Sequence, residues 1–155
     1  MSNEFLINIV PETLSRSSSG AITGRLSVTI GGTDFPEKEW VDFIVIVLGW
    51  WIDEVISILE EHSDESICEF MDGSFEFKIQ SEGKKYLHIS FVDMIDDETR
   101  YSDVTVSKEI VIRSLLLASN AVIKECRNKK WTDNDIVNFE SKINRLNIIT
   151  QGPIH

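Results

Sequence analysis

Residues 66–91 read SICEFMDGSFEFKIQSEGKKYLHISF, and their periodicity decides the fold class. Phe75, Phe77 and Ile79 alternate with Glu76 and Lys78, the period of two that sets apolar side chains on one face of a strand. Asp72-Gly73 is the dipeptide of a two-residue hairpin turn, so Ser66 to Met71 reads as the outgoing strand. Glu82-Gly83 makes a second turn. The strand after it turns Leu87, Ile89 and Phe91 inward and Tyr86, His88 and Ser90 outward. The three form a meander, and Tyr101 to Val106 adds a strand after a turn at Asp96-Asp97-Glu98.

Upstream, Phe5, Ile7 and Ile9 suggest a first strand ended by Pro11, and Ser15 to Gly20 has loop composition. Ile22, Gly24, Leu26, Val28 and Ile30 then alternate with polar residues in the cleanest strand pattern of the chain. Thr33-Asp34-Phe35-Pro36 resembles a helix start, with Asp34 as cap and Pro36 in the first turn. Trp40, Phe43, Val47, Trp51, Val55 and Ile58 follow at helical spacing, which predicts one long helix from Glu37 to about Glu61. Ile44 to Leu48 is β-branched and apolar all round, so a buried strand followed by a shorter helix from Trp50 is the alternative. Downstream, Ser107 caps a second helix that ends near Lys129, and Thr132-Asp133-Asn134-Asp135 caps a third. The expected architecture is a single α+β domain over residues 1–155, with 152–155 as a frayed tail. It would hold one antiparallel sheet of about five or six strands, including the meander, with a long central helix and two C-terminal helices packed on it.

Composition bounds the function. Of 155 residues, 42% are hydrophobic and 26% charged, a balance that supports a packed core. The net charge of −11 argues against nucleic acid and anionic lipid as partners, since both are themselves negative. The start, Met1-Ser2-Asn3-Glu4, lacks the basic region of a secretory signal. The apolar run Phe43 to Ile52 is about half of the ~20 residues that cross a bilayer. Cys68 and Cys126 are read as buried thiols in a reducing cytosol, so a cytoplasmic protein is expected. His62, His88 and His155 have no ligand spacing with each other or with the cysteines. Gly31-Gly32 is too short for a phosphate loop, and no Gly-x-Ser-x-Gly elbow is present. Asp93, Asp96, Asp97 and Glu98 lack the Gly and the late Glu of a calcium loop. The expectation is a non-enzymatic protein with no cofactor and no metal.

The charge is unevenly spread. Residues 1–33 are neutral, residues 34–103 hold 19 acids against 5 bases, and residues 104–155 hold 8 bases against 5 acids. A −14 region of that kind attracts a basic partner and accelerates the encounter, by about 10- to 1000-fold at low salt. Trp50 falls off the stripe that contains Trp51, so it either fills a second core face or stands exposed as an aromatic anchor.

Phe35-Pro36, Trp40, Asp42-Phe43, Val47-Leu48, Trp50-Trp51 and Phe70-Met71-Asp72-Gly73 together resemble a pattern found in small bacterial proteins. Some of these are similar to immunity proteins of polymorphic-toxin and contact-dependent growth-inhibition systems. The resemblance spans residues 22–125, and Ser74 departs from it where many relatives carry Pro. It implies a small, acidic, cytoplasmic, non-enzymatic protein that binds a cognate toxin, here a basic nuclease domain, by covering its active site. The expected contact residues are Asp93, Asp96, Asp97, Glu98 and Asp103, then Asp64, Glu65 and Trp50. Two other classes stay open: a small hydrolase or ligand-binding domain with a pocket near His88, and an oligomeric module that uses Trp50. Sequence leaves the oligomeric state undetermined.

Overall fold

The computed structural model describes residues 5–93 and 98–151, with the backbone alone for 98–103. The class is α+β, but the strands divide between two antiparallel sheets instead of forming one. In the first sheet, β3 (Ile22–Ile30) is the hub, pairing with β1 (Phe5–Ile9), β2 (Ser15–Arg16), β4 (Thr33–Phe35) and β5 (Val41–Asp42). The second runs in chain order: β6 (Glu65–Glu69), β7 (Phe75–Glu82), β8 (Tyr86–Asp93) and β9 (Glu98–Ser107). Three helices follow the expected order: α1 (Ile44–Leu59), α2 (Lys108–Asn128) and α3 (Asn134–Thr150). Among the described residues, no helix is long and apolar enough to cross a membrane.

Two sheets arise because a sheet face with apolar side chains must be covered, and here each sheet covers the other with aromatic rings. Phe35 of β4 stacks on Phe91 of β8 with ring centres 4.5 Å apart. Phe5 of β1 meets Phe77 of β7 at 5.8 Å. Trp40, just before β5, stands edge-on to Phe75 of β7 at 5.2 Å. Such rings bring large buried area, with offset and edge contacts worth about 0.5–1.5 kcal/mol each beyond that area.

The predicted helix start at Glu37 is wrong. Asp34 lies in β4 and accepts the Thr29 hydroxyl at 2.5 Å, and the Phe35–Pro36 peptide is cis. The chain then returns to β3 as β5, where the Leu26 amide donates to the Trp40 carbonyl at 2.9 Å. Trp40 and Phe43 therefore mimic helical spacing while lying outside the helix. Ile44 to Leu48 is helical, which excludes the strand alternative. Its all-round apolar character is explained by α1's surroundings, with β3, β6, α2 and α3 all packing on it. Trp51 is core, as expected, and its indole N–H donates to the Glu69 carbonyl of β6 at 2.7 Å.

The second and third helices start where the local signals place them. The Ser107 hydroxyl accepts the Ile110 amide at 3.2 Å. Asp133 is the N-cap residue of α3, but its carboxylate does not cap; it takes a two-pronged ion pair from Arg16 at 2.7 and 2.8 Å. Glu98 belongs to β9 instead of a turn, while Asp96, Asp97 and the tail 152–155 lie outside the described residues. Cys68 and Cys126 are both free thiols and buried. Burial pushes Cys68 well above the ordinary thiol value and Cys126 up to about 11.

One carboxylate fastens the two sheets. Asp42, 1% exposed at the end of β5, accepts the Trp40 indole N–H at 3.0 Å and the Phe43 amide at 2.7 Å. It also accepts the amide of Asp72, in the β6–β7 loop, at 3.1 and 3.2 Å to its two oxygens. Gly73 beside it has φ +80°, and a Cβ there would lie 3.0 Å from the Phe75 ring and 3.1 Å from Trp40. Asp42→Ala would strand three donors, and each buried unsatisfied group costs about 1–3 kcal/mol. We expect the variant to lose about 3 kcal/mol or more in urea unfolding, and Trp40→Phe, which removes one donor, about 1 kcal/mol. A loss under about 0.5 kcal/mol for Asp42→Ala would contradict this role.

Candidate functional site

The outer side of β6 follows from its alternation. Ser66, Cys68 and Phe70 point inward and are buried, which leaves Glu65, Ile67 and Glu69 exposed on the other face. The ladder with β7 sets Glu69 directly opposite Glu76, Ile67 opposite Lys78 and Glu65 opposite Gln80. Glu54 reaches the same place from α1, whose backbone is held to β6 by the Ser66 hydroxyl donating to the Glu54 carbonyl at 3.2 Å. Glu54, Glu65, Ser66, Ile67, Glu69 and Glu76 line one open cleft of about 410 Å³.

Glu76 is the unusual member. It is only 7% exposed, covered on β7 between Glu69 on one side and Val92 of β8 on the other. Burial raises its carboxyl above the ordinary value, Glu69 adds to the rise, and Lys78 partly opposes it. Like charges set directly across a ladder are destabilising, by roughly 0.2–1 kcal/mol. Lys78 offsets this only in part. Among the described residues, no Lys, Arg or His forms an ion pair with Glu54, Glu65, Glu69 or Glu76.

Several acids elsewhere are paired with bases. On the α3 side of α1, Lys142 pairs with Asp53 at 2.7 Å and Arg145 with Glu60 at 2.9 Å. Arg127 of α2 pairs with Glu140 of α3. The mild basic excess of the C-terminal helices is therefore used largely within the molecule. Glu54, Glu65, Glu69 and Glu76 are among the acids left without such a partner.

The sequence-predicted contact residues fall in several places. Glu65 is in the cleft. Trp50, 37% exposed, precedes Glu54 by one helical turn and so shares the solvent-facing stripe of α1. It adjoins a depression of about 100 Å³ with Lys142 and Asp135, on the α3 side. Asp64 is exposed but lies in a separate depression that also holds Lys84 and Lys108. Asp93 ends β8 opposite Glu98, whose side chain, like that of Asp103, lies outside the described residues. Asp96 and Asp97 lie outside the described residues.

Sequence reasoning missed Glu54, Glu69 and Glu76. The last two were accessible: a turn centred on Asp72-Gly73 sets Phe70 against Phe75 and therefore Glu69 against Glu76, the register observed. No sequence signal places Glu54 beside them. His88 sits on the outer face of the second sheet, near Thr105 at 3.4 Å and Glu82 at 3.5 Å. It does not line the depressions described above.

No family model, curated protein or solved structure matches the chain. Function is therefore read from the surface itself.

Because Glu76 holds its proton more tightly folded than unfolded, the folded state binds more protons between the two values. Stability from this group is thus present below the ordinary Glu range and lost as pH rises through the raised value. Glu76→Gln does not titrate, so it should match the parent protein at pH 4 and be more stable at pH 7. Urea midpoints at the two pH values measure this, and a variant less stable at pH 7 would contradict it.

Proposed function

We propose that this protein is an immunity protein: it binds a toxin domain with a basic catalytic face and neutralises it by covering that face. The observation that supports this reading is the unpaired acidic cleft of Glu54, Glu65, Glu69 and Glu76, with exposed Trp50 one turn away on α1. A nuclease holds phosphate with Lys and Arg, and carboxylates on a rigid sheet can occupy those groups in place of the substrate. Trp50 would supply apolar contact area from the same helix as Glu54, and Trp is enriched at interface hot spots. The wider −14 field of residues 34–103 would steer the encounter. In this reading the protein acts in the cytoplasm, without catalysis and without a cofactor.

The partner to test is the product of the neighbouring gene, because an immunity gene normally adjoins its toxin. Stopped-flow mixing should give an association rate that falls roughly 10- to 1000-fold from low to high salt. The double reversal Glu65→Lys and Glu69→Lys should slow association about tenfold at low salt while leaving the fold intact. A folded neighbour that does not bind, or an on-rate indifferent to both salt and reversal, would overturn the proposal.

A further inference from the structure

β6 is an edge strand, and its backbone hydrogen-bonding groups divide by position. The Phe70 amide donates to the Phe75 carbonyl at 3.1 Å and the Ser81 amide to the Asp64 carbonyl at 2.7 Å, both in the register of the β6–β7 ladder. Bonded pairs alternate along an antiparallel ladder, so Asp64, Ser66, Cys68 and Phe70 bond toward β7. The backbone groups of Glu65, Ile67 and Glu69 therefore point away from the sheet. The two ends of this row are occupied from within the molecule. The Ser63 hydroxyl donates to the Glu65 carbonyl at 2.5 Å and accepts the Glu65 amide at 3.2 Å, and the Trp51 indole donates to the Glu69 carbonyl. Among the described residues nothing bonds the Ile67 N–H, the Ile67 C=O or the Glu69 N–H. The Ile67 side chain is 42% exposed, and the opening that it lines with Ser66 lies along this edge.

We propose that the free edge of β6 at Ile67 docks an extended segment of the partner, which adds to the second sheet as a new antiparallel edge strand and carries basic side chains on either side of an apolar one. The partner is taken from the immunity reading, and the proposal names the segment by which it is held.

The register sets the chemistry of the occupant. Ile67 offers its N–H and its C=O from one residue, so an antiparallel residue facing it exchanges both bonds. The residues two positions to either side of that one then face Glu65 and Glu69. All three share the outer face of the sheet with Glu65, Ile67 and Glu69, the face that α1 does not cover. An apolar side chain in the middle packs on Ile67, and Lys or Arg at the flanks meets an acid directly across the ladder, a stabilising pairing. The same rule disfavours a second copy of this chain. β6 paired antiparallel with another β6 about Ile67 would set Glu65 of each copy against Glu69 of the other, and like charges directly opposite repel. The acids thus guard the edge against self-pairing, the ordinary hazard of an exposed strand, and select a basic segment.

The test needs no toxin. The full chain, labelled at its backbone amides, is titrated by NMR with a cyclised hairpin peptide whose free edge reads Lys-Thr-Ile-Thr-Arg, the isoleucine presenting its N–H and C=O outward. The Ile67 and Glu69 amides should shift saturably and exchange more slowly with solvent, with an affinity on the order of millimolar for so small a ligand. The same peptide N-methylated at that isoleucine keeps its charge but loses the backbone donor, and should bind about tenfold more weakly. A peptide reading Glu-Thr-Ile-Thr-Glu should not bind the parent protein but should bind the double reversal Glu65→Lys and Glu69→Lys. Ile67→Pro removes one outward N–H, which an edge position tolerates, and should abolish binding of the basic peptide. The proposal is overturned if the basic peptide gives no saturable shift, if N-methylation changes nothing, if the acidic peptide binds the parent equally well, or if the protein alone dimerises with its Ile67 amide protected. A second arm separates the two claims. A neighbouring gene product that binds the Ile67→Pro protein as tightly as the parent overturns the docking edge and leaves the immunity reading standing. A neighbour that does not bind, beside a positive peptide titration, does the reverse.

Discussion

The buried carboxylate of Asp42 ties together parts of the chain that local structure would leave separate. It ends β5 on the first sheet, satisfies the indole of Trp40 and the amide of Phe43 at the start of α1, and holds the Asp72 amide in the loop of the second sheet. With those donors satisfied, Trp40 rests on Phe75, Gly73 packs tightly beneath both, and α1 begins in a fixed direction between the sheets. Trp51 then reaches across to the Glu69 carbonyl and fixes α1 against β6. With α1 held beside β6, Glu54 lines the same opening as Glu65 and Glu69. Pro36, Asp42, Val47, Leu48, Trp51 and Phe70 are buried, and they are explained by packing without reference to any partner.

The acids of the cleft have the opposite character. They contribute nothing to the fastening, and at Glu76 they work against the fold through burial and like-charge repulsion. Two bases of α3, Lys142 and Arg145, pair with Asp53 and Glu60 of the α1 region, while Glu54 on the same helix has no such partner among the described residues. Groups that cost stability and are not offset internally mark surfaces where a partner completes the chemistry. The separation is physical: one set of residues is apolar or fully hydrogen-bonded and holds the structure, and another is charged, unpaired and available.

How much was legible depends on the range of the interaction. The strands at Phe5–Ile9, Ile22–Ile30, Phe75–Glu82 and Tyr86–Asp93 were readable because alternation is written in adjacent residues. The start of α2 at Ser107 was readable because a cap acts over three residues. The start of α1 was not. Asp34 and Pro36 are good local helix-start residues, and Trp40 and Phe43 keep helical spacing. What overrides them is pairing of Val41 and Asp42 with β3 and the Asp42–Asp72 contact, thirty residues apart. The division into two sheets was hidden for the same reason, since alternation identifies a buried face without naming what covers it. In the site, Glu65 and Trp50 were found from charge and from position off the core stripe. Glu69 and Glu76 followed from hairpin register but were not singled out. Glu54 depends on how a helix packs on a strand edge, which no short-range pattern encodes.

The central claim is that the cleft acids serve binding at the expense of folding. The direct measurement is a paired one on the variant Glu54→Gln/Glu69→Gln/Glu76→Gln: its urea midpoint at pH 7 and its dissociation constant for the proposed partner, the product of the neighbouring gene, from the same preparation. The account predicts that the midpoint rises while affinity for that proposed partner falls by about tenfold or more, a loss of at least about 1.4 kcal/mol in binding. A midpoint that falls, with affinity unchanged, would make these acids structural and contradict the account.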